Sequence, residues 1–225
     1  MAGMCYADRR MTTETGGTRP RLTPKGQARR EQIVAAAARL INERGVAATS
    51  TEDVLEAAGV SSSQLYHYFA DKMSLVRAVI AFLTNLVLEN QQPLLGHLDS
   101  IEALRTWRDL LLEIQRRVDY VGGCPIGTLA GELAENSPEA RNDIALGFER
   151  WEDGIRSGLR AMHDRGELRS DPDELALALL AALQGGLLLT QLRRDPEPLR
   201  AALDTVIDRI ETLTTRKKPR RTNAR

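Results

Sequence analysis

The sequence predicts an all-α fold: three N-terminal helices in a helix-turn-helix arrangement, joined by a long helix to a second, larger helical domain. Three observations predict it. Apolar residues recur at spacings of three and four from Ile33 to Leu213, no segment alternates with period two as a strand would, and Pro and Gly fall where helices begin and end. With 225 residues and a hydrophobic content of 42%, the chain fits one or two small domains with a sizeable core.

A first helix is expected over residues 25–44, after a Thr-, Gly- and Arg-rich arm (1–24), with Ile33, Ala37, Leu40 and Ile41 facing inward. Gly45 closes it. Ser50 can cap the next helix, with Asp53 completing a capping box, and Val54, Leu55 and Ala58 give it a buried side. Gly59 supplies the left-handed backbone of a tight exit, and Val60 packs beneath the turn. Ser61 or Ser62 can cap a third helix, in which only Leu65 and Phe69 look committed to the core. A connector helix over 72–90 follows the cap residue Asp71 and ends before Pro93 and Gly96.

In the second domain, Leu104, Trp107, Leu111, Ile114 and Val118 form one stripe, ended by Gly122 and Gly123. A short helix (126–135) precedes a long one (138–163) bearing Ile144, Phe148, Trp151, Ile155, Leu159 and Met162. The next helix (172–194) is apolar on nearly every side, and a surface helix would not be. A last helix (196–215) carries Leu199, Leu203, Val206, Ile207, Ile210 and Leu213. The final two helices thus offer more apolar surface than one subunit should cover. Either the first of them is an unusually well-buried core helix, or the pair forms a twofold four-helix interface with Leu187 and Ile207 in the contact.

Composition narrows the function. The apolar run 175–189 contains Gln184 and two glycines and falls short of a membrane span, and the N-terminus has no apolar leader segment. Two cysteines, Cys5 and Cys124, do not make a disulfide framework, which fits a reducing cytoplasm. Net charge is zero, yet residues 1–30 carry +5, residues 216–225 carry +6 and the remainder −11. A basic arm on one domain and an acidic body elsewhere suit a protein that holds DNA at one end. The C-terminal tail (216–225) is read equally well as a solvated, disordered segment. His67, His97 and His163 have no metal-ligand spacing and no catalytic carboxylate pair is evident, so no metal, cofactor or enzymatic activity is expected.

The third helix presents Ser63, Gln64, Tyr66 and His67 away from its core stripe, near an amino end whose free N–H groups attract phosphate. Lys72 lies in the first turn of the next helix, where a cation opposes the dipole and an external anion would resolve the conflict. Ordinary helical hairpins carry similar punctuation, so these features alone leave a structural role open. Gly-Val-Ala-Ala-Thr-Ser (Gly45 to Ser50), Ala-Ala-Gly-Val-Ser (Ala57 to Ser61) and Leu-Tyr-His-Tyr-Phe-Ala-Asp-Lys (Leu65 to Lys72) together resemble the DNA-binding domain of the TetR family of one-component repressors, over about residues 26–83. The resemblance implies that Thr49, Ser61, Tyr66, His67 and Lys72 hold phosphates, with Tyr68 in the same DNA-facing set, and that Ser62, Ser63 and Gln64 face base edges. Many relatives have Lys followed by Gly, Ala or Pro where this chain has Ser62 and Ser63, so its operator is its own. Gln64 can pair bidentately with adenine, whereas Ser reads bases permissively.

Gly122 to Glu132 lacks the strand and the Lys-Ser/Thr of a phosphate-binding loop. It resembles instead the effector domain of an LmrA/YxaF-like branch of that family, in which Gly-Cys-Pro opens a short helix beside the ligand cavity. Cys124 is either a thiol activated by a helix start or small apolar filler. Trp107 and Trp151, with Phe148 and Leu111 beside them and Gly147, Gly154 and Gly158 nearby, form either ordinary core or a cavity. With the resemblance, Trp107, Leu111, Cys124, Phe148 and Trp151 become the expected lining for a neutral, mainly apolar or aromatic effector. The sequence therefore leads to a cytoplasmic, homodimeric repressor (DNA-reading domain 25–71, effector and dimerisation domain 72–215) that binds a double-stranded operator and releases it to a small molecule. The alternative is a helical small-molecule or thiol sensor without specific operator binding.

Overall fold

The computed structural model describes residues 22–215; the basic arm up to residue 21 and the tail 216–225 lie outside the described residues. Nine α-helices and one 3-10 turn make up the described residues, which hold no strand and a single isolated bridge between Leu168 and Thr214. Helix α1 (Pro24–Arg44) starts at Pro24, behind the Thr23 cap, and ends at Gly45 with φ of 84°. Helices α2 (Thr51–Ala58), α3 (Ser62–Tyr68) and α4 (Lys72–Glu89) each begin with a complete capping box: Ser50 with Asp53, Ser61 with Gln64, and Asp71 with Ser74. Three boxes within about 25 residues fix where each of these helices starts. Each is worth roughly 1 kcal/mol.

The head formed by α1 to α3 packs on the start of α4 through Ile33, Ala37, Val54, Ala58, Leu65, Phe69 and Val76, all buried. Leu40 and Leu55 are only partly buried. After the 3-10 turn Leu94–His97 come α5 (Ile101–Arg117), α6 (Pro125–Leu133), α7 (Pro138–Asp164), α8 (Pro172–Arg193) and α9 (Glu197–Thr212). Helix α7 is the hub of this body, touching α4, α6 and α8, while α9 lies against α8 and α5.

Several expectations change here. Val118 lies past the end of α5 and is exposed. Gly147, Gly154 and Gly158 do not open the cavity beside Trp151: Thr84, Leu95 and the Leu98 backbone occupy the room their side chains would need, so these glycines let α4 and the 3-10 turn press against α7. Helix α8 is long and apolar enough to cross a bilayer, which the shorter run 175–189 did not suggest. Its packing is that of a core helix, with Leu175, Leu179, Leu180, Leu183 and Leu187 buried. Leu187 and Ile207 belong to this intramolecular core and not to a surface. Of the last two helices, α8 carries the exposed large apolar side chains, Leu177, Leu188, Leu189 and Leu192, whereas α9 turns Leu199, Leu203, Ile207 and Ile210 inward.

Candidate DNA-reading face and effector cavity

Helix α3 is held by two anchors and offers the rest. Leu65 and Phe69 are buried, and Arg30 from α1 stacks over the Phe69 ring at 5.2 Å. Ser61, Ser62, Ser63, Gln64, Tyr66 and His67 are exposed, with Tyr66 more than half accessible. Tyr68 is half-buried and meets His67 edge-on at 4.9 Å. The left-handed Gly59 (φ 61°) turns the chain tightly enough for the amide of Val60 to donate to the Leu55 carbonyl, which sets α3 across α2.

Three of the expected contacts are engaged within the head. Gln64 uses its side-chain oxygen to accept from the Ser61 amide at 3.0 Å, so bidentate pairing with a base requires the cap to open or the side chain to swing. Thr49 is buried and its hydroxyl donates to the Gly45 carbonyl at 2.8 Å. Lys72 needs no external anion to resolve its conflict with the helix dipole, because its ammonium donates to the Val46 carbonyl at 2.9 Å. Ser62, Ser63, Tyr66 and His67 remain as the open surface, although Ser63 shares a hydrogen bond with Ser61.

In the body a cavity of about 220 Å³ lies among α4, α5, α7, α8 and the loop before α6. Leu111, Cys124 and Trp151 line it, as expected; Trp107 and Phe148 do not. Trp107 is fully buried behind Trp151 and Gln91 as the inner layer of the wall, and both indole N–H groups donate to one acceptor, the Gln91 side-chain oxygen, at 2.9 Å from Trp107 and 3.1 Å from Trp151. Gln91 in turn donates to the Val87 carbonyl. The two rings are therefore pinned as one rigid wall. Sequence reasoning missed Gln91, Gln115, Asn90 and Asn42, the polar part of the lining. Gln115 gave a signal, as a polar residue beside the apolar stripe of α5. Asn42 gave none, since its place at the cavity arises only when α1 packs on α4.

Cys124 caps α6 by accepting from the Gly127 amide, yet burial pushes its thiol up from the ordinary range, outweighing that hydrogen bond. A helix start does not make this thiol reactive; burial dominates. Larger grooves exist, including one of about 520 Å³ between α4 and α7, but it is more open, and two of its basic side chains, Arg77 and Arg150, already pair with Asp143 and Asn85. Among the described residues no group of three or more His, Cys, Asp or Glu side chains could hold a metal ion.

One polar contact ties body to head. Glu132, near the end of α6, accepts from the Val46 amide at 2.8 Å, in the turn between α1 and α2, and its carboxylate lies against Gly45. Val46 thus faces Glu132 with its N–H and Lys72 with its carbonyl. The helix opened by the cavity residue Cys124 ends on the turn that positions the head.

Residues 33–79 match the model for bacterial regulatory proteins of the tetR family, and residues 100–205 that for the LmrA/YxaF-like transcriptional regulator C-terminal domain. An uncharacterized HTH-type transcriptional regulator of Mycobacterium tuberculosis is 31% identical over 77% of this chain and 89% of its own. The HTH-type transcriptional repressor DhaR of Mycobacterium sp. is 27% identical over 80% of this chain and 91% of its own. A TetR transcriptional regulator from Chloroflexus aurantiacus superposes with a TM-score of 0.73 at 28% identity, over 85% of this chain and 98% of that one. The chain therefore belongs to the TetR family of bacterial transcriptional regulators, with a C-terminal domain of the LmrA/YxaF-like type.

Proposed function

We propose that this regulator is a cytoplasmic homodimeric repressor that binds a pseudo-palindromic operator and releases it when a small, mainly apolar molecule enters the body cavity. The observation that carries the DNA-reading half is the exposed face of α3, where Ser62, Ser63, Tyr66 and His67 stand on a helix anchored by Leu65 and Phe69. Tyr66, His67 and Ser61 hold phosphates in this reading, while Ser62, Ser63 and Gln64 meet base edges. Lys72 and Thr49 serve the same surface, Lys72 by exchanging its carbonyl partner for a phosphate and Thr49 by fixing the turn before α2. Tyr68 acts by packing behind His67.

Dimerisation is supported by the exposed leucines of α8, which one subunit leaves in water. Release is supported by the cavity, bounded by α4 and the start of α6, and by the Glu132 link from α6 to the head. The thiol-responsive alternative loses ground because the Cys124 thiol is buried and its ionisation disfavoured. Repression fits a protein whose ligand-free form holds the operator and whose bound form lets go.

The test is a selection of duplexes from a random-sequence pool, followed by a salt titration of the enriched DNA. A dimer neutralising about eight phosphates should enrich an inverted repeat and lose affinity with a log–log slope near −7. No enrichment, or an affinity indifferent to salt, would remove the operator-binding reading.

A further inference from the structure

The lining of the body cavity is informative as a set. It contains no Lys, Arg, Asp, Glu or His; its polar members are four carboxamides, Asn42, Asn90, Gln91 and Gln115, and the thiol of Cys124. A charged ligand would lose its hydration there with no opposite charge to receive it, a cost of several kcal/mol or more. At about 220 Å³ the space is below the roughly 300–1,000 Å³ of sites for drug-sized molecules and holds on the order of ten non-hydrogen atoms.

The four carboxamides differ in what they have free. Gln91 is engaged on both ends by the two indoles and the Val87 carbonyl. Gln115 is buried and its side-chain oxygen has no hydrogen-bond partner. An orphaned buried amide costs about 1–3 kcal/mol, which a ligand with a complementary group would recover. At the other extreme, Asn42 and Asn90 are exposed, as are Leu86, Val118 and Val121, so these five form the mouth, while Gln115, Leu111, Trp151 and Leu187 form the floor. Asn42 differs from every other lining residue in belonging to α1, a helix of the reading head.

We propose that the cavity is a two-domain site for a small uncharged molecule with a hydrogen-bonding group at each end, held on the floor by Gln115 and at the mouth by Asn42. This rests on the regulatory reading above and adds to it the ligand class and a ligand contact on the head itself. A molecule gripped at both ends pulls on α1 directly, in addition to displacing α6. The head is then read by the ligand at its own surface, and the release signal needs no long relay.

Three probes test this on the full-length protein by tryptophan fluorescence and ligand-observed NMR: 4-hydroxybenzamide (uncharged, polar at both ends), benzamide (polar at one end) and 4-hydroxybenzoate (anionic). The expected order of affinity is 4-hydroxybenzamide, benzamide, 4-hydroxybenzoate, with the anion at least about tenfold weaker than the first. Gln115→Leu should weaken both amides, and Asn42→Leu should lower 4-hydroxybenzamide to the level of benzamide while leaving benzamide unchanged. Tighter binding of the anion, no binding of any probe at 10 mM, or an Asn42→Leu variant that binds 4-hydroxybenzamide like wild type would overturn the proposal. Operator affinity of the ligand-free proteins is measured alongside. If it is intact while the probes fail, only this inference falls; if operator binding itself is absent, the regulatory reading falls.

Discussion

The head and the body of this molecule carry their chemistry in opposite places. In the head, polar side chains of interest stand outside on two short helices, each started by a local capping box, and the interior is mainly aliphatic and aromatic packing. In the body the polar side chains of interest are carboxamides around a cavity, one of them buried without a partner, and the outside is laced with ion pairs such as Arg105 with Asp208 and Glu211. A surface that meets a polyanion works by exposed donors and positive potential, whereas a site for an uncharged molecule works by shape and a few unsatisfied hydrogen bonds. The contrast makes the two functions separable by mutation, except where Glu132 and Asn42 cross from one region to the other.

The largest effect should come from the head's anchors. Leu65→Ala empties a fully buried site and should cost about 2–5 kcal/mol, enough to melt the head ahead of the body. Thermal unfolding followed by circular dichroism is expected to split into two transitions, with operator binding lost. A single unchanged transition would mean that the head does not depend on this anchor.

Next in size is Leu192→Glu on the exposed face of α8, where the side chain is 71% accessible in one subunit. If that face pairs with a second copy, a buried unpaired carboxylate should disrupt it, giving monomers of unchanged helicity in sedimentation. A dimer that persists in this variant would place the contact elsewhere.

The crossing point comes third. Removing the acceptor of a hydrogen bond to a charged group costs about 1.5–3 kcal/mol, so Glu132→Ala should raise the exchange rate of the Val46 amide by roughly tenfold or more and loosen the head, while Glu132→Gln, which keeps an acceptor, should largely restore protection. Equal exchange in wild type and Glu132→Ala would show that α6 does not hold the turn.

The smallest effect concerns Cys124. Its thiol is raised by burial, so the neutral form is favoured in the folded state; that stability is present below the ordinary thiol range and is lost only as pH rises through it. Alkylation by iodoacetamide at pH 7 should be far slower in the folded protein than in urea. A fast native reaction would revive the thiol-sensing alternative.

How much of this was legible in the sequence follows the same division. The head was readable because its determinants are local: Ser50 pairs with Asp53 and Leu65 with Phe69 within four residues, Gly59 turns the chain between them, and all appear as expected. What the sequence could not show was that Gln64, Thr49 and Lys72 find partners inside the head, since Lys72 meets a carbonyl 26 residues away. In the body the helices were readable from periodicity, but periodicity cannot say which side of a helix is filled. Gly147, Gly154 and Gly158 suggested space and prove to be places of close approach. Trp107 suggested lining and is wall, and Leu187 suggested an interface and is core. Each of these depends on which element packs opposite, a relation between separate segments of the chain that no spacing rule encodes.

The central claim, that exposed side chains of α3 read DNA while interior carboxamides read a ligand, is tested most directly by one parallel titration. Operator affinity is measured by fluorescence anisotropy against salt for wild type, Tyr66→Ala and Gln115→Leu. The account predicts that the Gln115→Leu curve superimposes on wild type, and that Tyr66→Ala lies below both at every salt concentration and on every DNA sequence alike, as the loss of a phosphate contact requires. A Tyr66→Ala curve indistinguishable from wild type, or a Gln115→Leu loss as large as that of Tyr66→Ala, would contradict it.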